Sequence, residues 1–556
     1  MSAPHTSSAD QQYLPHRQIL VVLGGLMAGM FLAALDQSIV GTALPSITSD
    51  LGGLDKLSWV VTAYLLTSTA STPLWGKVSD LYGRRPTFQA AIVTFLAGSL
   101  LSGFSQDITQ LIGFRALQGL GAGGLFALAL ATIGDVIPPR ERGRYQGWLA
   151  AVFGTSSVLG PVLGGFFAEG PGWQWIFWVN IPIGAVALVV TSVALKLQHV
   201  RREHSMDYLG ASVIVAAVSA ILLYTAWAGD AYGWGSVTAL ALLVGGLVLS
   251  GVFVLVERRA AEPIIPLELF DNRVFSASSA FGFVVGMAMF GSLVFTPLYL
   301  QVVAGMTPTA SGLGLLPMVA GIFSTSITAG QVASRTGRYR AFPIAGAATM
   351  LVGVVLLSRL GADTPYWQVG LSLYVLGAGL GGTMQIIITA VQNSVGRRHM
   401  GTATSAITFF RMMGGAFGTA AFGAVLGIRL THHLGPLAGG AAAEVAADGG
   451  DLSSLRALPD GVREAVVRAY ADALGDVFLA AVPVVAVALV LACLIPEVRL
   501  RSRDDEVDAA GAVIDPVAAP VAAPVVAPGV APGAAQGAAQ GAAPGEGRPA
   551  PARLPR

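Results

Sequence analysis

The chain has one cysteine, three lysines and only 11% charged residues across 556 positions. A lone Cys493 excludes an intrachain disulfide. The balance of 32 basic against 31 acidic residues, net +1, leaves no electrostatic footprint for nucleic acid. No Gly-x-x-x-x-Gly-Lys-Ser/Thr loop occurs, so nothing points to ATP as an energy source. The apolar stretches hold no grouping of His, Cys and carboxylates that would serve catalysis or a metal ion, so an enzyme is the weakest reading. Gly119-Leu120-Gly121-Ala122-Gly123-Gly124 satisfies Gly-x-Gly-x-x-Gly, but no strand precedes it and it lies mid-helix. The dinucleotide reading therefore fails, leaving close helix packing.

What the chain has is hydrocarbon. Hydrophobic residues make up 54% and mean hydropathy is +0.68. Apolar runs of about 20 residues, each able to cross roughly 30 Å of lipid, recur fourteen times, at about 18–40, 58–75, 88–105, 108–133, 145–168, 175–195, 208–228, 236–256, 276–301, 309–333, 341–359, 367–391, 402–428 and 475–495. This is an all-α polytopic membrane protein. The first run follows a polar segment and lacks a small-residue cleavage site, so it reads as a retained helix. With the N-terminus inside, eighteen Lys and Arg fall in inner loops, among them Lys77, Arg84, Arg85, Arg140, Arg142 and Arg144, against six in outer loops. By the positive-inside rule both termini are cytoplasmic. Abundant Ala and Gly with scarce Lys suit a bacterial gene of high GC content, hence a bacterial inner membrane.

Residues 1–17 form a short polar tail, and 499–556 an Ala/Pro-rich cytoplasmic tail that cannot build a core. The one long outer connection spans 429–474. Inside it Val462, Val466, Tyr470 and Ala473 recur at helical spacing, reading as a surface helix, amphipathic on the membrane or simply solvated. His432 and His433 in that loop lack further ligands and read as solvated. A repeat links the halves. Gly76-Lys-Val-Ser-Asp80-Leu-Tyr-Gly83-Arg84-Arg85 follows the second run, and Gly330-Gln-Val-Ala-Ser334-Arg-Thr-Gly337-Arg338 follows the tenth. Two such copies imply bundles related by a pseudo-two-fold: 18–196 and 276–498, with two linker helices in 197–275. Ser334 stands where the first copy has Asp80, so a charge-dependent role belongs to the first half.

At this repeat the chain resembles the major facilitator superfamily, whose signature is Gly-x-x-x-Asp-x-x-Gly-Arg-Arg/Lys, and more narrowly its fourteen-span drug:H⁺ antiporter branch. The likeness continues through Leu35-Asp36-Gln-Ser-Ile-Val-Gly41-Thr-Ala-Leu-Pro45, Trp59 to Tyr64, Arg115-Ala-Leu-Gln118-Gly119, Gly160-Pro161-Val-Leu-Gly164-Gly165 and Trp175-Ile-Phe-Trp-Val-Asn180-Ile-Pro182. It departs at Gly41, Gln174 and Ser156, where the branch usually has Asn, Arg and Gly. The resemblance implies a major-facilitator fold of two six-helix bundles plus two central helices, with multidrug efflux driven by a proton gradient and no cofactor.

Residue roles follow on that footing. Asp36 and Arg115, opposite charges inside apolar helices, are the proton-coupling candidates; a hydrogen-bonding Asp and an Arg satisfied by carbonyls are the plainer alternatives. Gly76, Asp80, Gly83, Arg84, Arg85, Asp135 and Arg142 are candidates for a cytoplasmic gate, in which Asp80 caps a helix N-terminus or pairs with Arg84. Gly154, Gly160, Pro161, Gly164 and Gly165 form the bent, closely packed segment that the resemblance assigns to exporters. Candidates for a substrate cavity are Tyr64, Phe153, Met318, Gln385 and Arg411. Arg411 reads equally as a gate, a partner for an anion or a structural pair. The expected partners are small lipophilic or cationic molecules, protons and the bilayer. Export of an endogenous lipid or natural product is a second reading, and a non-transporting sensor a third.

Overall fold

The computed structural model describes residues 16–51, 56–138, 141–142, 145–195, 207–230, 235–260, 262–434 and 459–500. Among these the long elements are helices, and their order follows the fourteen apolar runs. They are α1 (His16–Leu51), α2 (Leu57–Tyr82), α3 (Arg84–Gly103), α4 (Ile108–Val136), α5 (Gln146–Glu169), α6 (Trp175–Trp178 continuing as Asn180–Ala194) and α7 (Tyr208–Asp230). Then come α8 (Val237–Glu257), α9 (Arg273–Leu298), α10 (Leu316–Thr336, entered through the short helix Pro308–Gly314), α11 (Ala341–Leu357), α12 (Tyr366–Ser394), α13 (Met400–Leu434) and α14 (Asp460–Leu494). Among the described residues eleven helices are long and apolar enough to cross a membrane, with α11 shorter. Large apolar side chains stay uncovered on outer faces, as at Val186, Val189 and Val193 of α6 and Val244, Leu247 and Val248 of α8. Such a surface belongs against lipid.

Inside, helices approach through small residues and hydroxyls. α4 shows why. Gly119 and Gly123 face α2, against Tyr64, Thr67 and the Ser68 carbonyl, while Gly121 and Gly124 meet Ala91 and Phe95 of α3 and Trp75 of α2. The glycine run that mimics a nucleotide fingerprint is thus a two-sided packing surface. Polar groups of α2 then bond across: Trp75 Nε1 donates to the Leu120 carbonyl at 2.6 Å, Ser71 to the same oxygen at 3.1 Å, and Thr72 to the Gly123 carbonyl at 3.1 Å. Hydroxyls are affordable in such a helix because Thr72 also bonds back to the Ser68 carbonyl at 2.7 Å.

α1 to α6 pack chiefly with one another, α9 to α14 likewise, and α7 and α8 form a hairpin. α7 also lies on α2 and α13, beside the seam where the halves meet. Pro297 near the end of α9 is followed by a π turn over Tyr299–Val303, a proline's usual consequence for the ladder.

One sequence reading is corrected here. The stretch expected to be a separate surface helix within 429–474 is the start of α14, which runs unbroken from Asp460. Its apolar face turns inward: Val466, Tyr470 and Ala473 are buried, and α14 as a whole packs on α9, its π turn, α11 and α13. A protein surface was available to that face, so it did not need lipid. α13 likewise continues to Leu434, and His433 is not merely solvated, since it lies 3.1 Å from Asp476 of α14, with Arg429 at 3.6 Å from the same carboxylate. Residues 1–15, 435–458 and 501–556, covering most of both tails and the middle of the outer loop, lie outside the described residues.

The packing yields a contrast. A Cβ at Gly123 would strike the Ser68 carbonyl, whereas one at Gly165 meets nothing within 4 Å. Gly123→Val is expected to cost about 1–3 kcal/mol and to lower the thermal unfolding midpoint in detergent. Gly165→Ala is expected to leave that midpoint unchanged.

Candidate functional site

The deepest polar feature joins four helices around one carboxylate. Asp36 of α1 is wholly buried. Arg115 of α4 reaches it with Nη1 at 2.6 Å from Oδ2. On the other oxygen, Gln118 Nε2 donates to Oδ1 at 2.8 Å and Asn180 Nδ2 of α6 at 3.2 Å. Gln118 also accepts from Arg115 Nη1 at 2.7 Å, and the guanidinium lies 4.1 Å from the centre of the Tyr64 ring on α2. Asn180 donates to Ser99 of α3 at 3.0 Å, and Ser99 to the Phe177 carbonyl at 2.8 Å. An ion pair so enclosed is held by charge-assisted bonds and a cation–π face in place of water. One acceptor in the cluster, Asn180 Oδ1, is buried without a partner.

A second assembly holds the two halves together at one end. Asp80 of α2 caps α13 from outside: it accepts from the Gly401 N–H at 3.1 Å, and from the Thr402 N–H and hydroxyl at 2.7 and 2.8 Å. A carboxylate at a helix N-terminus satisfies orphan donors and meets the positive end of the dipole. Arg84 lies 2.7 Å from Asp80 and 2.5 Å from Asp135 of α4, and donates to Ser79 at 2.7 Å. Arg142 donates to the Ile137 and Gly134 carbonyls and, at 2.8 Å, to Gln392 of α12; Gln392 returns to the Leu130 carbonyl at 2.9 Å. Glycines permit this closeness. A Cβ at Gly76 would collide with Ser405, and one at Gly401 with the Asp80–Arg84 pair. Gly83 takes φ +95° to turn α2 into α3. Arg85 enters no hydrogen bond or ion pair among the described residues and stands apart from the latch.

The second copy of the repeat ends α10 with a left-handed Gly337 at φ +71° and ties to its own half. Leu500 N donates to the Gly337 carbonyl at 3.0 Å, and the Tyr339 hydroxyl to the Pro496 carbonyl at 2.7 Å. Burial pushes the Tyr339 phenol above its ordinary pKa. Without a carboxylate at Ser334, this copy has no equivalent of the Asp80 cap.

The α5 segment meets both halves. Gly160 packs on Ser38 of α1, whose hydroxyl donates to the Ser156 carbonyl at 2.9 Å. Gly154 faces Val319 and Phe323 of α10, and Pro161 faces Gly312. Gly164 is buried, while Gly165 has open space and does not share the close approach expected of it. Of the cavity candidates, Tyr64 belongs to the Asp36 cluster, and Met318 and Gln385 are buried in the helix packing. The side chain of Phe153 lies outside the described residues. Arg411 is partly exposed on α13 and makes no hydrogen bond or ion pair among the described residues.

A profile of the Major Facilitator Superfamily matches residues 26–419. The chain belongs to the major facilitator superfamily. It is 43% identical over 491 residues to an uncharacterised transporter of this type from Mycobacterium tuberculosis, covering 88% of this chain and 71% of that protein. It is 36% identical over 409 residues to the multidrug transporter protein MdtP of Bacillus subtilis, covering 74% and 75%. Among solved structures, the proton:xylose symporter XylE superposes with a TM-score of 0.57 at 14% identity, over 89% of this chain and 99% of that one, a likeness of fold alone. This facilitator is therefore a multi-pass membrane transporter.

Three contributors to the facilitator's polar sites had been given no role from sequence, though Gln118 and Asn180 stand in the motifs quoted above. Gln118 sits three residues beyond Arg115, hence on the same helix face, and that spacing was the available signal. Asn180 is an amide in an otherwise apolar helix, a signal of the same kind. Glu262 carried none. It pairs with Lys77 of α2 at 2.7 Å and lies 3.5 Å from Arg398 before α13, adding a link from the α8–α9 connection to the latch.

Two outcomes are expected. Asp36→Leu strands the Arg115 charge and should cost about 3–5 kcal/mol, whereas Asp36→Leu with Arg115→Met should recover most of it, read from unfolding midpoints of the purified proteins. At the latch, Ser405 is buried against Gly76, and Cys493 is the sole cysteine. In a Cys493→Ser, Ser405→Cys background, adding Asp80→Ala removes charge-assisted bonds of about 1.5 kcal/mol or more. Maleimide labelling at position 405 should then accelerate about tenfold or more.

Proposed function

We propose that this facilitator is a proton-driven antiporter that exports lipophilic or cationic small molecules from a bacterial cytoplasm by alternating access. The observation that carries the reading is Asp36: a titratable carboxylate with no solvent exposure, held by one cation and two amide donors where four helices meet. Such a group answers to hydration. A conformational change that wets the cluster replaces those protein partners with water and opens a route for a proton to the carboxylate. Neutralising Asp36 frees Arg115 to bond elsewhere, which links proton uptake to a rearrangement of α1 against α4.

The latch supplies the second element of alternation. Its basic residues, Lys77, Arg84 and Arg142 with Arg398, gather at one end of the bundle, and by the positive-inside rule that end is cytoplasmic. Closed there, the protein keeps its substrate path from the cytoplasm; breaking the Asp80 cap opens it. The α5 segment, with Gly160 on Ser38 and Gly154 on α10, gives the sliding contact between halves. Relatives named as multidrug transporters support small-molecule export. On this reading no catalytic residue, metal or organic cofactor takes part.

Purified protein in liposomes under an imposed pH gradient should move ethidium. Asp36→Asn keeps an acceptor oxygen for Gln118 and Asn180 but cannot titrate; it should fold with a near-normal unfolding midpoint and lose gradient-driven movement by at least tenfold. Wild-type protein that moves no dye, or Asp36→Asn that moves it at the wild-type rate, would sink the proposal.

A further inference from the structure

Two arginines of the bundle, Arg115 in α4 and Arg411 in α13, are treated oppositely by the structure. Arg115 is saturated by Asp36, Gln118, the Val60 carbonyl and the face of Tyr64. Arg411 has no hydrogen bond and no ion pair among the described residues, although it is only partly exposed. A guanidinium without a counter-charge at membrane depth is costly to keep. Among the described residues no counter-charge meets Arg411, and a partner that comes and goes would supply it.

Its position fits that role. α13 is pinned at Gly401 and Thr402 by Asp80. Ten residues farther at 1.5 Å each put Arg411 about 15 Å deeper, half of the roughly 30 Å hydrocarbon thickness. The neighbouring Met412 sulfur meets Thr72 of α2 at 3.9 Å, so this turn of α13 borders the seam between the halves. Behind it the backbone is fixed, because a Cβ at Gly286 of α9 would strike the Arg411 carbonyl. Aromatic rings flank the turn: Phe409 on Phe410 at 5.4 Å, and Phe283 on Phe417 at 5.8 Å between centroids. A fixed backbone, a planar five-donor cation and apolar rings make a receptor for an amphipathic anion, whose carboxylate or sulfonate takes the guanidinium as a two-pronged partner while its ring system lies on the phenylalanines.

We propose that Arg411 is an anion-recognition site in the translocation path, and that the exported molecules include aromatic carboxylates or sulfonates as well as cations. The proposal deepens the transport reading above and rests on it for the word exported; binding itself does not.

The probes are 1-naphthoate and its neutral isostere 1-naphthamide, with affinities measured by calorimetry on the purified full-length protein. Wild-type protein should prefer naphthoate by at least tenfold. Arg411→Gln should abolish that preference, and Arg411→Lys, a point charge without the fork, should keep only part of it. Equal binding of the two probes by wild-type protein, or a preference that survives in Arg411→Gln, overturns the proposal. Unfolding midpoints and monodispersity qualify each variant; if Arg411→Gln does not fold, Arg411→Lys decides, since undiminished preference there removes the case for a two-pronged contact. Failure of ethidium transport in wild-type liposomes would count against proton-driven export and leave the naphthoate comparison to stand or fall separately.

Discussion

Hydrocarbon does not solvate charge, and the bundle's interior is organised by that refusal. Asp36 and Arg115 can remain inside only because each is surrounded by groups that replace water: amide donors on one carboxylate oxygen, the guanidinium on the other, and an aromatic face under the cation. Those substitutes come from α1, α2, α4 and α6, with Ser99 of α3 behind Asn180. Helix positions in this half are therefore coupled through one buried ion pair. The glycines of α4 make the coupling possible, since Gly119 and Gly123 let α2 come close enough for Tyr64 to reach Arg115.

The latch obeys the same rule with a different solution. Asp80 meets backbone N–H groups at the start of α13 as well as Arg84, so its bonds join one half of the chain to the other. The pseudo-equivalent turn at Gly337 has kept the glycine and lost the carboxylate, and its hydrogen bonds run to 496–500 within its own half. A duplicated backbone shape has thus diverged into a clasp between halves and a tie within one. Glu262, bridging toward Lys77 and Arg398, draws the α7–α8 hairpin's exit into the same charge network.

Several expectations were legible because they depend on local chemistry. Apolar helices in the order of the expected runs follow from apolar length, and Asp36 and Arg115 stood out as rare charges inside such runs. The cap by Asp80 was among two readings of a carboxylate in the last turn of α2, and both hold at once, on α13 and on Arg84. Other readings failed where partners are distant in sequence. The stretch 462–473 read as a surface helix, on the membrane or solvated, because nothing in its own sequence says that other helices would bury Val466, Tyr470 and Ala473. Arg85, identical in type to Arg84 and adjacent to it, enters no hydrogen bond or ion pair among the described residues. Gly165 follows Gly164 in the same motif yet meets open space.

The boundary between the two kinds of knowledge is one of range. Composition and periodicity by themselves determined that the chain is a bundle of apolar helices with basic turns at one end, because hydrophobic length and charge cost act on each segment separately. Which buried charges are satisfied was decided only by tertiary structure. Arg115 and Arg411 are indistinguishable as isolated residues in apolar helices; one finds a carboxylate 79 positions away and the other finds none among the described residues. The counter-charge lies on a different helix, and only the assembled bundle brings it within reach.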